Sequence, residues 1–270
     1  MSVRASPAAE EAREVLLRRA HPGGIVVLTL NRPEAYNSLS SGLMRALVTA
    51  LDDLTTDPAV RVVAIEGAGR GFSAGHDLKE VRGLASADER RALMALCTQL
   101  MLKVVRLPKP VIAKVHGFAS AAGCQLVASC DLAVAASDAR FATPGVNIGL
   151  FCHTPMVALS RNVARKHAME MLLTGEAIDA RKAVEIGLVN LHVPAAQLDE
   201  AVLELAAKIA AKSAYVLKLG KEAFYRQLEL DLDEAYAYAA EVMVENMLAR
   251  DAEEGIGAFI EKRAPAWHDA

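Results

Sequence analysis

The 270-residue sequence contains few aromatic residues and no clusters of basic residues. Aromatic residues make up only 4% of the chain, and no run of Lys and Arg is longer than two residues. The formal net charge is −3, so the sequence offers no basic stripe for nucleic acid. Apolar residues make up 53% and charged residues 23%, which is the composition of a compact globular protein.

Targeting and membrane signals are also missing from the sequence. No apolar run approaches the roughly 18 residues that a bilayer-spanning helix needs. The arginines near the N-terminus are accompanied by Glu10, Glu11 and Glu14, whereas transit peptides are poor in acidic residues. No apolar segment of a secretory signal is present. The cysteines show no C-x-x-C spacing and are expected to be buried free thiols: Cys97, Cys124, Cys130 and Cys152. These absences predict a cytoplasmic protein.

The apolar segments that are present alternate between strand-like runs and helical patterns. Strands are predicted near residues 25–30, 60–67, 110–117, 131–137 and 188–194. A helix with apolar residues at Leu43, Leu47, Leu51 and Leu54 follows the first strand. Alternation of this kind favours a mostly parallel α/β sheet, and the chain reads as helical from about Ala196 onward. We therefore expect an N-terminal extension (1–24), a core (25–195) and a helical oligomerisation tail (196–270).

Several polar residues have the spacing of helix caps. Asp77 and Glu80 have the D-x-x-E spacing of a capping box, which predicts that Asp77 caps a helix and Glu80 reaches back to it. A long helix is predicted from about Asp88 to Leu107, ending before a proline. Asp179 is predicted to cap a further helix.

Two loops share one construction. FSAGHD (Phe72–Asp77) and ASAAGC (Ala119–Cys124) each run through small residues into a helix start. Small side chains let a ligand approach the backbone, and a helix start offers free N–H groups. Two such loops facing each other would direct a pair of N–H groups at one oxygen, which is an oxyanion hole. The alternative is that both loops are tight turns packed through small residues.

The order and the amino-acid sequences of six segments resemble the enoyl-CoA hydratase/isomerase (crotonase) superfamily. The segments are LNRPEAYNSL, GRGFSAGHDLKE, KPVIAKVHGFASAAGCQLVASCDLAVAA, ARFATPGVNIGL, LLTGEAIDARKAVEIGLVN and AFIEKRAPAW. The resemblance covers nearly all of the chain after about residue 24. More narrowly, GHDLKE, AAGCQLVASCD and FATPGVN are similar to the subgroup called enoyl-CoA hydratase domain-containing protein 3.

This resemblance implies a fold, an assembly and a ligand. The fold is a crotonase-like α/β spiral of ββα units with a C-terminal helical trimerisation region, and the assembly is a homotrimer or a dimer of trimers. The ligand is an acyl-CoA thioester, with no cofactor beyond coenzyme A as part of the substrate. The oxyanion-hole N–H groups would be those of His76 and Ala122. The residues that would contact coenzyme A are Ala74, Asp77, Leu78, Lys79 and Gly123, with Phe259 and Lys262 from a tail helix, often a neighbour's.

Two positions depart from the family pattern. Hydratases of this family carry one glutamate at the position of Gln125 and a second at the position of Gly145, and these carboxylates activate water and deliver the proton. An amide has no pKa near neutrality and cannot be a general base. A glycine has no side chain at all. Ordinary hydratase activity is therefore expected to be weak or absent.

The residues that could replace the two family glutamates lie in the segment LFCHTP. His153 is the best replacement base, with Cys152 beside it as a possible nucleophile. The alternatives are that His153 is a helix N-terminal residue bonded to a backbone carbonyl and that Cys152 is an inert buried thiol. The side chain of His76 is a further candidate. The other histidines have no partner at metal-ligand spacing, so no metal is expected.

Two functional hypotheses follow from these residues. The first is an enzyme that stabilises the oxyanion or enolate of an acyl-CoA thioester. The second is a non-catalytic acyl-CoA-binding or scaffold protein. A protease of related fold lacks support because no Ser/His/Asp trio accompanies the loops.

Overall fold

The computed structural model describes residues 14–270 as two sheets surrounded by helices. The strands are β1 (Leu16–His21), β2 (Ile25–Leu30), β3 (Val62–Gly67), β4 (Val111–Val115), β5 (Phe118–Ser120), β6 (Leu132–Ala136), β7 (Arg140–Ala142), β8 (Ile178–Asp179) and β9 (Leu191–Val193). The helices are α1 (Ser41–Thr56), α2 (Leu78–Gly83), α3 (Ala87–Arg106), α4 (Ala122–Ser129), α5 (His153–Asn162), α6 (Arg165–Thr174), α7 (Ala180–Glu185), α8 (Leu198–Ala210), α9 (Ala214–Gln227), α10 (Leu232–Met247) and α11 (Arg250–Glu261). Short 3-10 turns occur at Pro33–Ala35, Pro144–Ile148 and Ala195–Gln197.

The larger sheet has six strands in the order β1-β2-β3-β4-β6-β9. All neighbours are parallel except β1 and β2, which confirms the predicted mostly parallel sheet. Strand β1 was not predicted, because its LLRRAH sequence has the mostly exposed pattern of an edge strand. It lies within the predicted N-terminal extension, so residues 16–21 belong to the sheet. Residues 1–13 of that extension lie outside the described residues.

Helices cover both faces of the larger sheet. The leucines predicted to form the apolar face of α1, Leu43, Leu47, Leu51 and Leu54, are all fully buried. On the opposite face, α8 packs against Val62, Ala64, Ile112 and Val134 of the sheet. Helix α8 was predicted to be part of an oligomerisation tail, but it covers the core instead. Its apolar residues have the parallel strands as partners within the same chain.

The smaller sheet, β5-β7-β8, holds the second small-residue loop beside the segment that contains Gly145. Strand β5 pairs in parallel with β7, so that Ser120 lies opposite Ala142. These strands are two or three residues long, which is too short for a periodic pattern in the sequence, and they were not predicted. The pairing brings the start of α4 next to the segment that follows β7.

Helix α9 is attached to the core through a buried polar cluster. Lys221 of α9 donates to a carboxylate oxygen of Asp131 at 2.7 Å, and Tyr225 donates to the other at 2.9 Å. The N–H of Val111 donates to Asp131 at 2.7 Å. Burial raises the pKa of Asp131, and the ammonium of Lys221 opposes that rise.

No helix within residues 14–270 has the length and apolarity needed to cross a membrane.

Candidate active site

The two small-residue loops lie side by side. The N–H of Ser73 donates to the carbonyl of Phe118 at 3.1 Å, and the N–H of Ser120 donates back to the carbonyl of Ser73 at 2.8 Å. A Cβ atom added to Gly123 would overlap the carbonyl oxygen of Ser73. A Cβ atom added to Gly75, whose φ is +93°, would lie 2.9 Å from the Cβ of Ala121. The small residues therefore allow the loops to touch, and Gly123 has this packing role whether or not a ligand binds.

The first loop leaves the N–H of His76 without a partner, and the second loop leaves the first N–H groups of α4, including that of Ala122, without partners among residues 14–270. Around His76, the N–H of Leu39 donates to the carbonyl of Gly75 at 2.7 Å, and the N–H of Asp77 donates to Leu39 at 3.4 Å. This bridge leaves the N–H of His76 unused. Ala122 begins α4, where a helix has no internal acceptor for its first N–H groups. Neither of these two N–H groups donates a hydrogen bond to any residue in the range 14–270.

Ala121, which precedes the free N–H of Ala122, has an unusual backbone. Its φ of 48° and ψ of −116° are conformations that an L-residue with a Cβ rarely adopts. Its own N–H is held by the carbonyl of Ala142 at 2.9 Å. Strain of this kind costs about 1–3 kcal/mol and persists where the surroundings impose it. The second sheet thus sets the direction of the N–H of Ala122.

The predicted capping box at the start of α2 is only half correct. Asp77 accepts from the N–H of Lys79 at 3.1 Å and pairs with Arg32 at 3.0 Å. Burial pushes the pKa of Asp77 upward, but Arg32 and the backbone N–H groups outweigh it and hold the pKa below its ordinary value. Glu80 does not reach back to Asp77. It accepts from the N–H of Ser41 at 2.8 Å, so it caps α1 instead.

Gln125 lies on α4, one turn after Ala122. Its side chain is 6% exposed, and its Oε1 atom has no hydrogen-bond partner among residues 14–270. Residues three apart on a helix lie on the same face, so the side chains of Ala122 and Gln125 share one side of α4.

Gly145, the position at which the resemblance implies a second glutamate, is closely packed. A Cβ atom there would lie 2.5 Å from the carbonyl oxygen of Leu150 and 3.0 Å from the Sγ atom of Cys152. Real Cβ atoms do not approach a backbone oxygen that closely, so the local backbone leaves no room for a side chain. The thiol of Cys152 occupies the space in front of this position.

Thr143 is a polar residue of this region that the sequence did not indicate. It follows β7 directly, is 1% exposed, and its Oγ1 atom has no partner among the described residues. A threonine between an apolar strand and a proline is unremarkable in a sequence. Only the burial of its hydroxyl group distinguishes it.

The ring of His76 also carries unpartnered atoms. Both ring nitrogens are buried without a hydrogen-bond partner among residues 14–270. Burial lowers the pKa of His76, and the backbone at Leu39 and the charge of Glu80 only partly oppose this effect. The imidazole is therefore neutral at pH 7, and its two ring nitrogens are buried and not in contact with solvent.

The proposed replacement groups are less well placed. His153 is exposed at the first residue of α5, and its ring packs on Phe151 with the ring centres 5.2 Å apart. It has no hydrogen bond with Gln125 or Thr143. Cys152 is 6% exposed, and burial raises its pKa although the N–H of Gly145 opposes the rise. A thiol with a raised pKa is a poor nucleophile.

The predicted free thiols are confirmed, since all four cysteines are unpaired and buried. Burial raises the pKa of Cys97 to about 11 and that of Cys124 to about 12. Within residues 14–270 there is no group of three or more His, Cys, Asp or Glu side chains arranged to hold a metal ion.

The residues predicted to contact coenzyme A lie mostly at the surface. Ala74, Leu78 and Lys79 are exposed beside the first loop. Phe259 is 85% exposed on α11, and Lys262 ends that helix in a left-handed conformation. These two residues lie on the helical tail and not in the loops of the site.

Comparison with known proteins gives a consistent result. Residues 20–270 match the family model described as enoyl-CoA hydratase/isomerase. The "Enoyl-CoA hydratase domain-containing protein 3, mitochondrial" of Rattus norvegicus is 44% identical over 263 residues, which cover 97% of this chain and 88% of the rat protein.

Two solved structures are also very similar. A crystal structure of enoyl-CoA hydratase from Mycobacterium smegmatis has a TM-score of 0.93 and 52% identity, covering 95% of this chain and all of the other. The structure of human enoyl Coenzyme A hydratase domain-containing protein 3 has a TM-score of 0.91 and 44% identity, covering 94% of this chain and all of the other.

One expectation from the sequence is contradicted by these comparisons. The domain-containing protein 3 relatives from rat, mouse, frog and human are all named as mitochondrial proteins, whereas the sequence pointed to the cytoplasm. The expectation was wrong because it rested on what the N-terminal residues lack, and such absences do not identify a compartment.

Proposed function

Because this chain belongs to the enoyl-CoA hydratase/isomerase family and is similar to its domain-containing protein 3 subgroup, we propose that it binds an acyl-CoA thioester and polarises the thioester carbonyl. The N–H groups of His76 and Ala122 are the proposed donors. The observation that carries the proposal is that the two touching loops leave the N–H groups of His76 and Ala122 without partners, while a Cβ atom on Gly75, next to His76, would lie only 3.1 Å from the nitrogen of Ala122.

The chemistry follows from the two donors. A thioester carbonyl oxygen that accepts both hydrogen bonds gains negative charge, either as a tetrahedral oxyanion or as the enolate formed when the neighbouring carbon loses a proton. Because the donors are backbone groups held by two sheets and a strained Ala121, they need no reorganisation when the charge develops. Each donor of this kind contributes about 10²–10³-fold to a rate.

The nucleotide part of coenzyme A is assigned to the exposed rim of the first loop. Ala74, Leu78 and Lys79 are accessible there, and Asp77 is held by its cap and by Arg32. Phe259 and Lys262 are proposed to cover the nucleotide from a neighbouring chain. The proposal needs no cofactor other than the coenzyme A that is part of the substrate.

Ordinary hydration is proposed to be slow or absent. Gln125 is an amide, and the backbone around Gly145 has no room for a carboxylate. Each general acid or base contributes about 10²–10⁴-fold, so the loss of both removes most of the rate enhancement for adding water.

The second candidate function is a non-catalytic acyl-CoA-binding protein. The observation that favours it is the position of the candidate replacement groups: His153 is exposed and packed on Phe151, and the thiol of Cys152 has a raised pKa. The two functions share the binding site and differ in whether a proton is moved there.

The carbonyl polarisation is tested by infrared difference spectroscopy with butyryl-CoA labelled with ¹³C at the thioester carbonyl. Binding to the wild-type protein is expected to shift the labelled band to lower frequency, because hydrogen bonding weakens the C=O bond. The variant Ala121→Gly/Ala122→Pro removes one donor, since proline at the first position of a helix is well tolerated and has no N–H.

The matched control is Ala121→Gly alone, which keeps the donor and relieves the positive φ. We expect the control to retain the full shift and the double variant to lose much of it. A labelled band that is unshifted in the wild-type complex, or equally shifted in both variants, contradicts the proposed hole. Turnover of a panel of acyl-CoA thioesters by the same proteins then separates the enzyme from the binding protein.

A further inference from the structure

Helix α11 has little apolar packing of its own. Only two of its residues, Asp251 and Ala258, are buried. Among the described residues, none of those in α11 belongs to either of the two buried apolar clusters. Because most of the stability of a helix in a protein comes from the packing of an apolar face, the position of α11 depends on other contacts.

The chain reverses direction after α11 and returns beside it. Lys262 makes the reversal with a left-handed backbone, at a φ of 55° that residues other than glycine seldom adopt. The guanidinium of Arg263 donates to both carboxylate oxygens of Glu254, at 2.6 and 2.9 Å. The N–H of Ala266 donates to the same carboxylate at 2.7 Å. Residues 263–270, which we call the strap, are therefore bonded along α11.

The strap also binds the first turn of α11. The carboxylate of Asp251 accepts the N–H of His268 at 2.6 Å and the N–H of Asp269 at 2.9 Å. The ring of Trp267 lies on Gly255, where an added Cβ atom would be 3.2 Å from the ring. With contacts at both ends of the helix, α11 and the strap form one unit.

Polar contacts join this unit to the start of β3 and to the turn between α8 and α9. The carboxylate of Asp269 accepts from the guanidinium of Arg61 at 2.7 and 3.2 Å and from the N–H of Ala214 at 2.6 Å. The indole N–H of Trp267 donates to the carbonyl of Ala211 at 2.8 Å. Arg61 directly precedes β3, and it also donates to a carbonyl group at the end of α8 at 2.7 Å. One guanidinium therefore connects the strap, the large sheet and α8.

The connection is ionic at neutral pH. The guanidinium of Arg61 holds the pKa of Asp269 below its ordinary value, although burial opposes this effect. The side chain of Asp269 is 39% exposed and that of Arg61 is 22% exposed, so the pair is accessible to solvent at one edge.

We propose that the strap fixes α11 in the position at which Phe259 and Lys262 cover the nucleotide of coenzyme A, and that Arg61 and Asp269 are positioning residues for acyl-CoA binding. The inference rests on the proposed function and concerns how the nucleotide end of that site is held closed. Phe259 lies about 12 Å further along the helix than Asp251, so a small rotation at the strap displaces Phe259 by several times more than the strap itself.

Calorimetry with two thioesters tests the inference. Butyryl-CoA carries the nucleotide, whereas butyryl-pantetheine has the same thioester and the same arm without it. Asp269→Ala removes both the charge and the acceptor for Ala214, and we expect it to weaken the binding of butyryl-CoA about 5- to 20-fold. Binding of butyryl-pantetheine is expected to stay unchanged, because that ligand has no part for Phe259 and Lys262 to cover.

Two milder variants test the contacts separately. Asp269→Asn removes the charge, keeps an acceptor and suits the φ of 58° at this position, since asparagine tolerates a left-handed backbone. Trp267→Phe removes the indole N–H and keeps a ring on Gly255. Each is expected to weaken the binding of butyryl-CoA about 2- to 5-fold. The control is Glu253→Gln, which changes an exposed acid of α11 and is expected to leave both affinities unchanged.

Amide hydrogen exchange reports the strap without any ligand. In Asp269→Ala we expect the amides of α11 to exchange faster, while those of β3 and β4 keep their wild-type rates. Unchanged exchange in α11 overturns the role of the strap. Faster exchange in α11 with an unchanged affinity for butyryl-CoA overturns the positioning role.

The ligand outcomes separate this inference from the proposed function. An equal loss of affinity for both thioesters overturns the inference, because the effect would then not depend on the nucleotide. A wild-type protein that binds butyryl-CoA no more tightly than butyryl-pantetheine also overturns it and leaves the thioester site intact. Failure of both thioesters to bind the wild type overturns the proposed function and the inference together.

Discussion

Three polar side chains of the candidate site, those of Gln125, Thr143 and His76, are neutral at pH 7. Gln125 and Thr143 cannot ionise there, and burial lowers the pKa of His76. The acids Asp77 and Glu80 are engaged in capping α2 and α1. Under the proposed function, a site of this composition would polarise its ligand by hydrogen bonds and would not activate water with a pair of carboxylates.

The burial of His76 has a consequence for stability against pH. The folded-state pKa lies below the ordinary value of 6.5, so the unfolded chain takes up a proton more readily than the folded chain. The contribution of His76 to stability is therefore complete above the ordinary pKa and is lost as the pH falls toward the folded-state pKa.

We expect the free energy of unfolding, measured with urea at about pH 7.5 and about pH 5.5, to fall less in His76→Phe than in the wild type. His153→Phe replaces an exposed histidine and is the matched control. If the wild type and His76→Phe lose the same stability over this range, the ring of His76 is not buried in a neutral form.

Placing an acid at Gln125 tests the proposal that hydration is slow because the site has no general base. Glutamate is nearly isosteric with glutamine, and Gln125→Glu is expected to raise the rate of crotonyl-CoA hydration at least about tenfold, because a general base contributes about 10²–10⁴-fold. The gain is expected to grow with pH, since burial raises the pKa of a carboxyl group and only the ionised form acts as a base.

Adding the second acid is expected to fail for a steric reason. Gly145→Glu places a Cβ atom 2.5 Å from the carbonyl of Leu150, so the local backbone must move. We expect it to lower the free energy of unfolding by about 1–3 kcal/mol and to add nothing to the rate of Gln125→Glu.

A folded Gln125→Glu protein that binds acyl-CoA and gains no activity would show that the pocket cannot hold a water molecule beside the new carboxylate.

At the scale of secondary-structure elements, one buried ion pair attaches α9 to the core. The side chain of Lys221 is 7% exposed, and besides Asp131 it donates to the carbonyl groups of Val104 at 3.2 Å and Lys109 at 3.0 Å. Val104 lies in the last turn of α3, so one ammonium group joins the end of α3, the start of β6 and α9. Removing it leaves Asp131 buried without its counter-charge.

Lys221→Met is therefore expected to lower the free energy of unfolding by about 3–5 kcal/mol, as for other buried pairs that lose one partner. Amide hydrogen exchange is expected to become faster in α9 than in α8, since α8 keeps its packing on the sheet. The control is Lys218→Met, an exposed lysine on the same helix. Equal effects of the two substitutions would mean that the buried pair does not hold α9.

At the scale of the whole molecule, the last three helices leave a large apolar surface uncovered. Helices α9, α10 and α11 contain few fully buried residues, and their most exposed apolar side chains are Leu232, Tyr236, Leu248, Phe259 and Ile260, between 72% and 85% exposed. Large exposed apolar patches mark sites of association, and the many exposed apolar side chains on these three consecutive helices favour such a patch here. The resemblance to trimeric family members supplies the expected partner, which is a second and third copy of the chain.

We expect light scattering at micromolar concentration to give the mass of three or six chains. Phe259→Asp/Ile260→Asp is expected to shift the protein toward the monomer, because the charges would be buried in the contact. Lys208→Asp, which changes an exposed residue of α8, is the control. A monomeric wild-type protein at that concentration contradicts the prediction.

Several features were determined by the sequence alone. Six elements were predicted because each has an apolar pattern that can be recognised within its own segment. They are the strands β2, β3, β4 and β6 and the helices α1 and α3. The two small-residue loops and the family were recognised because their residues are contiguous in the chain. The sequence also shows an amide, Gln125, and a glycine, Gly145, at the two positions where the resemblance implies glutamates.

Other features were decided only by the tertiary structure. Strands of two or three residues in the second sheet, the redirection of Glu80 to α1, and the packing of α8 on the sheet depend on partners far away in the chain. The same holds for the site, because the missing partners of Gln125 and Thr143 and the strain at Ala121 are properties of burial and backbone geometry. Local patterns report what a segment prefers, whereas only the packed chain determines which polar groups are removed from water and left without a partner.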